Sequence, residues 1–414
     1  MKVIYKLYTE MKKKKYIQKF FTITIILLLF GTSILPIVSS LSYQISFNGS
    51  LDGNTLYVGG NGPGNYTKIQ DAIDNASNGD TVFVYNDSSP YSENITIDKS
   101  IQLIGEDRDS TLINGTGIIY TIDIKADDVN VQGFSIQNQL GGIRVRSNNN
   151  KIINNNISSS HRPAISVEFN FPDCRYLNNT ISENIIACRN CQGIITWSNS
   201  TFITNNYIRE HDSGGIAVYS DNNIISSNTV INEIDVDPMF LMGDIHVVGN
   251  NNIIQNNTLI GLPDKTAKGI FIGGSGSRNN IVSNTIENYE YYGIHIYHEA
   301  NNNSISNNLL KNNNKGLRIE LLCPNNKIQN NIFIDNYLGI YLYIRCNKNT
   351  FQYNNFISNN RNVYFERFCI NNVWNENYWG RARVLPYPII GRFWVFFPWI
   401  NFDWHPAQEP YEIN

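Results

Sequence analysis

Short alternating patterns of apolar and other residues recur at a fixed step in the C-terminal half of the chain. Four consecutive lines of sequence can be aligned without a gap, and they begin at Gly293, Gly316, Gly339 and Asn362. Each start is followed by two apolar residues two positions apart, as in Ile294 and Ile296. A period of two is typical of a β-strand with one buried face. The step of about 23 residues is typical of a solenoid.

A second pattern follows later in each line: an apolar residue, two others, an asparagine, any residue and another apolar residue. It predicts a strand, a sharp bend and a second strand, since asparagine tolerates left-handed backbone geometry. The asparagines keep the 23-residue step at Asn308, Asn331, Asn354 and Asn377. If the coils stack at about 4.8 Å, these side-chain amides form an internal hydrogen-bonded ladder. The sequence therefore predicts a parallel β-solenoid, because leucine-rich and helical repeats have other spacings.

The rest of the chain divides around this repeat into four predicted regions. Residues 1–40 are predicted to be a signal peptide, and residues 41–80 to contain a strand and a short capping helix. The coils span residues 81–378, and residues 379–414 form a C-terminal cap. The helix is indicated by the apolar spacing of Ile69, Ala72 and Ile73, and a capping box is expected at Thr67 and Gln70.

The N-terminal segment has the features of an export signal. Lys12 to Lys15 form a positive region, Phe20 to Leu35 is an apolar run, and Ser39 and Ser40 supply small residues for cleavage. The alternative is an uncleaved anchor, which would be the chain's contact with a membrane. Both interpretations place the protein outside the cytoplasm, as a secreted, cell-surface or periplasmic protein.

Composition disfavours a nucleic-acid partner. Charged residues make up 16% of the chain and the net charge is −3, whereas nucleic-acid binding needs a basic surface. Asparagine is instead the dominant residue, with 64 copies in 414 residues. The tail beyond Trp379 is rich in tryptophan, phenylalanine and proline. It is expected to cap the last coil, with an exposed docking surface for a partner or a membrane as the alternative.

The order of these segments resembles a known family. The early strand, the helix, TVFV at Thr81, NITIDKSIQLIG at Asn94 and the later G-I-x-V and N-N-x-I coils resemble the pectin-lyase-like superfamily. Within it, the coils are most similar to the NosD-type, carbohydrate-binding and sugar-hydrolysis group. The resemblance implies an all-β, right-handed parallel β-helix of about 23 residues per coil. The handedness rests on it alone. Its members include lyases, hydrolases, binding proteins and proteins of copper-site maturation, so it does not select one function.

Residues that alternate with the buried pairs must face outward on one sheet. They form a stripe of aromatic and polar side chains that would suit an extended sugar chain, although such residues are also common on solvated strands. The predicted substrate-binding residues are Trp197, Tyr219, His246, Phe271, His295, Tyr297, Arg318 and Tyr341.

Three connections between coils are longer than the rest, and they precede Gly193, Asp244 and Gly269. Long loops beside a rigid sheet often carry sites. The middle loop contains Glu233, Asp235 and Asp237, which are the candidate catalytic residues because paired carboxylates can hydrolyse sugars. The same carboxylates could bind calcium, or form a plain solvated acidic loop.

The cysteines and histidines give weaker signals. Cys323, Cys346 and Cys369 share one phase, which predicts a buried column, with an oxidised adjacent pair as the alternative. Cys188 and Cys191, together with Cys174, have the only metal-like spacing, but a zinc site would need a second pair, so a local disulfide is expected, and its pairing is left open. Copper is implied by the resemblance. His295 and His298 could share it only if the strand ends before His298. We predict no metal site and identify no cofactor.

The leading hypothesis is therefore an exported β-helix that binds an extended glycan or a cell-envelope polymer along the stripe. A glycoside hydrolase or polysaccharide lyase that uses the acidic loop is the first alternative. A NosD-like periplasmic copper-binding or maturation protein is the second.

Overall fold

The computed structural model describes residues 53–117, 119–170, 174–211, 214–232, 242–262, 267–394 and 396–413. The predicted signal peptide and the loop carboxylates Glu233, Asp235 and Asp237 lie outside these residues. Within them, no helix is long and apolar enough to cross a membrane.

The described chain winds into a solenoid with three parallel sheets, to which successive coils contribute strands in turn. Sheet A has the strands Thr55–Val58, Thr81–Val84, Gln102–Gly105, Asn130–Gln132, Lys151–Ile153, Thr180–Ser182, Phe202–Thr204, Ile224–Ser226, Ile253–Gln255, Asn280–Val282, Ser304–Ser306, Lys327–Gln329, Thr350–Gln352 and Val373–Asn375. Sheet B has Leu112–Asn114, Ser135–Gln137, Asn156–Ser159, Ile185–Cys188, Tyr207–Arg209, Thr229–Ile231, Thr258–Ile260, Thr285–Glu287, Leu309–Lys311, Ile332–Ile334 and Asn355–Ile357. Sheet C has Ile95–Ile97, Tyr120–Ile124, Gly141–Val145, Ile165–Val167, Ile194–Thr196, Ile216–Val218, Ile245–Val247, Lys268–Ile272, Tyr292–Tyr297, Lys315–Glu320, Leu338–Tyr343 and Arg361–Glu366.

The predicted inward pairs set the register of sheet C. Ile294 pairs with Leu317, which pairs with Ile340, and the same register continues through the sheet. These side chains are fully buried, together with the inward residues of the other two sheets. The core is thus a column of isoleucine, leucine, valine and phenylalanine along the solenoid axis, and the coil starts predicted from the sequence are confirmed.

The helix Ile69–Asn75 covers the first coil with its predicted apolar face, since Ile69, Ala72 and Ile73 are buried. The predicted capping box is wrong. Lys68 is the N-cap residue and makes no side-chain cap bond, and the carboxylate of Glu93 instead accepts hydrogen bonds from the Ile69 and Gln70 amides. A carboxylate at a helix N-terminus satisfies free N–H groups and complements the helix dipole.

The predicted asparagine ladder exists and is longer than expected. Each member donates from its backbone N–H and its side-chain amide to the side-chain oxygen of the next member. The bonds between Asn308 and Asn331 measure 3.0 Å each. The members are Asn155, Asn184, Asn206, Asn228, Asn257, Asn284, Asn308, Asn331, Asn354 and Asn377.

Two further asparagine ladders run along other corners of the coils. One includes Asn223, Asn252, Asn279, Asn303, Asn326, Asn349 and Asn372. A shorter one includes Asn313, Asn336 and Asn359. The expected left-handed backbone belongs to the residue before the ladder asparagine. Asn307 has a φ of 57° and Tyr353 one of 58°, whereas Asn308 and Asn354 are not left-handed. The ladder asparagine is therefore selected for its amide rather than for its backbone.

The tail caps the last coil, as expected. Trp379 stacks between Phe356 and Tyr387, with ring centroids 4.5 and 4.0 Å away. The buried carboxylate of Asp403 accepts hydrogen bonds from the backbone and side-chain nitrogens of Asn377, and so ends the first ladder. The remainder of the cap is an antiparallel hairpin of the strands Tyr387–Trp394 and Phe397–Asp403. A smaller antiparallel pair joins Phe169–Asn170 to Cys174–Arg175.

Candidate functional site

The outward face of sheet C carries the predicted stripe, in register from coil to coil. Its middle row is fixed by strand pairing and contains Arg144, Ser166, Ile195, Ala217, His246, Phe271, His295, Arg318, Tyr341 and Tyr364. The row before it includes Lys268, Tyr292 and Lys315, and the row after it includes Tyr297, Glu320 and Tyr343. All eight predicted substrate-binding residues therefore share one face.

Aromatic rings touch in an unbroken series along this face. Trp197 stacks on Tyr219, with centroids 4.2 Å apart and planes 15° apart. The series continues through ring contacts of 4.9 to 5.5 Å between Tyr219, His246, Phe271, His295 and Tyr297. We call these six residues the aromatic run. Because coils are spaced at about 4.8 Å, one ring in each of five successive coils brings neighbouring rings into contact, and Tyr297 adds a second ring on the strand of His295.

The middle of the aromatic run is less exposed than the sequence predicted. His246, Phe271 and His295 retain 8%, 5% and 4% of their accessible surface, whereas Trp197, Tyr219 and Tyr297 are half-buried. Neighbouring rings account for part of this burial. The end of the long loop accounts for another part, because Gly243 approaches Phe271 so closely that an added Cβ would lie 3.0 Å from its Cβ. The face therefore has a half-exposed platform, formed by Trp197 and Tyr219, followed by a covered segment formed by His246, Phe271 and His295.

A group of charged and polar side chains lies beside Phe271 and includes His295. His295 Nε2 lies 3.1 Å from a carboxylate oxygen of Glu320, and the other oxygen lies 2.7 Å from Arg318 Nη2. Arg318 also donates to the Tyr292 hydroxyl. Lys268 Nζ lies 4.8 Å from the centre of the Phe271 ring. We call Lys268, Tyr292, His295, Arg318 and Glu320 the polar cluster.

Burial changes the charges within the polar cluster. It lowers the pKa of His295 to about 4, against the opposing hydrogen bond to Glu320, so the imidazole is neutral at pH 7. Burial also lowers the pKa of Lys268 to about 8. Burial opposes ionisation of Glu320, but the hydrogen bond from His295 and the charge of Arg318 outweigh it and hold its pKa below the ordinary value. The cluster therefore contains a lysine whose pKa is lowered towards neutral pH, and this lysine lies beside the Arg318–Glu320 ion pair.

The predicted histidines and tyrosines beyond this cluster are placed as follows. Burial, with a contribution from Lys268, lowers the pKa of His246 to about 4. Its Nδ1 is buried and has no hydrogen-bond partner among the described residues. Tyr341 donates to Glu366 and lies under the guanidinium of Arg318. Tyr341 thus contacts the polar cluster directly, whereas His246 contacts Phe271, which in turn contacts His295 of the cluster.

A buried aspartate, Asp244, lies at the start of one coil in sheet C. Asp244 takes the position that Gly215 and Gly269 occupy in neighbouring coils, and it is 1% exposed. Its carboxyl group accepts hydrogen bonds from Tyr289 at 2.5 Å and from Asn232 at 3.1 Å. Burial raises its pKa to about 7. Its enclosure inside the solenoid makes it a structural acid rather than a group that meets a polymer on the face.

The cysteines agree with the preferred interpretations. Cys323, Cys346 and Cys369 are free and buried, and the Cys346 amide donates to the Cys369 sulfur at 3.4 Å. Cys188 and Cys191 are joined as the expected local disulfide. In the described part of the chain, no group of three His, Cys, Asp or Glu residues could hold a metal ion. The strand with His295 ends at Tyr297, as copper sharing would require, but Glu320 occupies the Nε2 atom of His295.

Sequence reasoning missed Lys268 and Tyr292 because both precede the glycine at which the alternating pattern begins. The available signal was the residue just before each coil start, which is Lys268, Tyr292, Lys315, Leu338 and Arg361 in successive coils. This position forms a third outward row.

Comparison with known proteins agrees with this architecture. The family model "Periplasmic copper-binding protein (NosD)" matches residues 189–321 and 244–384, and the model "Right handed beta helix region" matches residues 120–235. No curated protein sequence gives a match. The solenoid is therefore a right-handed parallel β-helix. In sequence, the chain is similar to the families that these two models describe.

Solved structures give the same fold at low sequence identity. The Dettilon tailspike protein aligns with a TM-score of 0.52 and 15% identity, over 72% of this chain and 63% of the tailspike. The chain thus spans less than two thirds of that protein. The A-module of a mannuronan C-5 epimerase from Azotobacter vinelandii aligns with a TM-score of 0.48 and 12% identity, over 84% of this chain and 92% of the module. A lacto-N-biosidase from Eubacterium ramulus has a TM-score of 0.46 and 12% identity, over 70% and 64% of the two chains.

Proposed function

We propose that this protein lies outside the cytoplasm and binds an extended glycan along the outward face of sheet C. The observation that carries the proposal is the aromatic run, which leads from the Trp197–Tyr219 platform to the polar cluster. The matched NosD model describes a periplasmic protein, which supports the proposed location.

The platform supplies the apolar part of such a site. Trp197 and Tyr219 stack on each other, so they present the edges of their rings outward, and the C–H groups of a sugar can pack on this apolar surface while the hydroxyls stay hydrated. Trp197 and Tyr219 are nearly parallel and half-buried, and the rings of the aromatic run follow them at the spacing of the coils. A polymer that runs parallel to the solenoid axis would therefore contact Trp197 and Tyr219 at one end of the run and Tyr297 at the other, because the rings between them are buried.

The polar cluster supplies hydrogen bonds and charge. Arg318 and Lys268 are cationic donors at neutral pH, and Glu320 accepts hydrogen bonds. Their relative positions are already held by the Arg318–Glu320 and His295–Glu320 contacts, so less side-chain freedom is lost on binding. Binding is expected to orient the polymer at this end of the face.

Affinity electrophoresis in gels that contain polysaccharide tests the proposal. The wild-type chain is expected to migrate more slowly in a gel that contains its polymer, and Trp197→Ala/Tyr219→Ala is expected to lose most of this retardation. Tyr207→Ala is the matched control, because Tyr207 is an exposed aromatic residue on sheet B. Equal retardation of the platform variant and the wild type would refute binding at this face.

Polysaccharide cleavage by elimination is a second candidate function, and the polar cluster is the observation that favours it. Clusters of groups with shifted pKa values often mark catalytic sites. Lys268, with a pKa of about 8, is the candidate base, and Arg318 could stabilise negative charge on the polymer. Retaining or inverting hydrolysis needs two carboxyl groups, and the cluster contains one, Glu320. The predicted catalytic residues Glu233, Asp235 and Asp237 remain an untested alternative outside the described residues.

The variant Lys268→Met distinguishes elimination from binding alone. Lys268→Met should abolish release of unsaturated sugars, measured by absorbance near 235 nm, and should leave platform binding in place. If elimination occurs and Lys268→Met retains it in full, Lys268 is not the base. Copper handling remains a third hypothesis that rests on the NosD match, and metal analysis of untagged protein would test it.

A further inference from the structure

The hairpin at the C-terminal end exposes an unusual amount of aromatic surface. Phe396 and Phe397 at its tip are 85% and 64% exposed, and Trp394 and Trp399 beside them are each 47% exposed. The outward cross-strand pairs behind the tip are also mainly apolar: Pro388 with Phe402, Ile390 with Ile400 and Arg392 with Pro398. Contiguous exposed apolar patches in soluble proteins usually mark an interaction surface.

Attachment of the hairpin to the last coil is made mainly by other residues, although the Trp394 ring also contacts Phe368 at a centroid distance of 5.0 Å. The inward side of its first strand makes the attachment: Ile389 is buried, and Gly391 approaches Phe365 so closely that an added Cβ would lie 2.3 Å from the Phe365 carbonyl oxygen. Arg361 donates to the Ile390 carbonyl, and the Phe368 amide donates to the Phe393 carbonyl. The hairpin is thus fixed to the solenoid by one side, while its tip and its other side face solvent.

Charge around the patch favours an anionic partner. From Trp379 to Phe402 the sequence contains three arginines, Arg381, Arg383 and Arg392, and no aspartate or glutamate. Arg392 projects from the outward side of the hairpin itself. Tryptophan and phenylalanine at a hairpin tip, with Arg392 next to it, are the combination that the headgroup region of an anionic membrane accommodates. A protein partner would be expected to bring polar contacts that match both strands, and the outward side offers few polar side chains to meet them.

The dimensions also fit a membrane surface. Trp394 and Phe397 pair at the end of the ladder, so the paired strands extend two residues beyond Arg392 and one beyond Pro398. At about 3.3 Å per residue, two residues span roughly 7 Å, which is within the depth at which interfacial segments reside in a lipid leaflet.

We propose that this hairpin is a membrane-docking device that inserts Trp394, Phe396, Phe397 and Trp399 into the headgroup region of an anionic lipid surface. The solenoid would then be attached to the membrane by its C-terminal end, with the glycan-binding face on its side. This inference does not rest on the proposed glycan function, and neither depends on the fate of the N-terminal segment.

Vesicle co-sedimentation of the full chain tests the inference. The probes are vesicles of phosphatidylcholine alone and of phosphatidylcholine with phosphatidylglycerol. We expect the wild type to prefer the anionic vesicles and Phe396→Ser/Phe397→Ser to bind them more than about tenfold more weakly. Phe202→Ser is the matched control, since Phe202 is an exposed phenylalanine on sheet A. Arg392→Gln should weaken anionic binding about fivefold.

Tryptophan quenching by brominated lipids separates the hairpin from the N-terminal segment, which every variant retains. The wild type should be quenched, and Trp394→Phe/Trp399→Phe should lose most of the quenching while it still binds vesicles. Undiminished quenching in this variant would overturn the proposal. So would self-association in sedimentation velocity that Phe396→Ser/Phe397→Ser abolishes while vesicle binding is absent, because the patch would then join two copies of the chain.

Discussion

The interior asparagine ladder and the outward face of sheet C follow the same coils but obey different rules. Along the ladder, ten successive coils from Asn155 to Asn377 carry the same residue in the same hydrogen-bonding arrangement. Along the middle row of the outward face, the same span of the chain carries serine, isoleucine, alanine, histidine, phenylalanine, arginine and tyrosine. The interior is repetitive and the exterior is not.

Burial explains the difference. A ladder asparagine is buried, so each of its polar atoms needs a partner, and its neighbours in the coils above and below provide them. An outward side chain lies outside the stacked core, where it meets solvent, a loop or a neighbouring side chain, so stacking imposes little on its identity. The repeated asparagine is therefore required by stacking, whereas the identity of each outward residue is free to serve a function of the surface. Substitutions in the two regions should differ in the size of their effect on stability and in the property that they change.

The largest effect is expected inside the ladder. The Asn308 amide donates to Ile281, Ser306 and Asn331, and its oxygen accepts from the backbone and side chain of Asn284. Asn308→Ala would leave several buried groups unpaired and should destabilise the solenoid by about 3–5 kcal/mol. The midpoint of urea unfolding measures this loss. Lys311→Ala, in an exposed position of the same coil, should leave the midpoint almost unchanged.

A pH-dependent effect of similar or smaller size is expected at Asp244. Its pKa is about 7 in the folded protein and close to 3.8 when unfolded, so the folded state binds the proton more tightly. Its contribution to stability is therefore greatest below pH 4 and is lost as the pH rises to 7, by up to about 4 kcal/mol.

Asp244→Asn cannot ionise, so its melting temperature should rise relative to wild type between pH 4 and pH 8. Burial lowers the pKa of His211 to about 4, which acts in the opposite direction below pH 6.5. His211 Nε2 lies 3.8 Å from a carboxylate oxygen of Asp244, so the comparison is made in a His211→Gln background, in which His211 no longer titrates. A difference that does not change with pH would show that Asp244 does not titrate in this range.

The smallest change in stability is expected on the outward face. Trp197→Ala/Tyr219→Ala removes one stacked aromatic pair from a half-buried position and should cost about 1–2 kcal/mol. Thermal unfolding monitored by circular dichroism measures it. If this variant were destabilised as strongly as Asn308→Ala, the platform would be part of the core, and its loss of glycan retardation could not be assigned to lost contacts.

The sequence predicted the interior well because the repeat is a direct consequence of packing. The coil starts, the inward pairs and the asparagine column all follow from two periods, one of two residues and one of about 23. The outward assignment of Trp197 and His295 followed from alternation, and both lie on the face that was predicted.

The contacts that depart from the repeat could not be predicted in the same way. Lys268 joins the polar cluster from outside the alternating segment, and Asp403 ends the ladder from the opposite strand of a hairpin with no repeat. The burial of Phe271 depends on the close approach of Gly243, which is a property of one loop. Three-dimensional proximity of residues that share no period carries no signal in a single sequence.

The acceptor at Asp403 has a consequence for how the chain can change in length. Each ladder asparagine donates its backbone N–H and a side-chain N–H to the asparagine of the next coil. The series of hydrogen bonds therefore has a direction, and it needs an added acceptor only at its C-terminal end. Asp403 supplies it without being part of a coil. Whole coils can therefore be gained or lost between Asn155 and Asn377 while both ends stay intact. Such changes would alter the distance between the N-terminal helix and the aromatic hairpin in steps of about 4.8 Å.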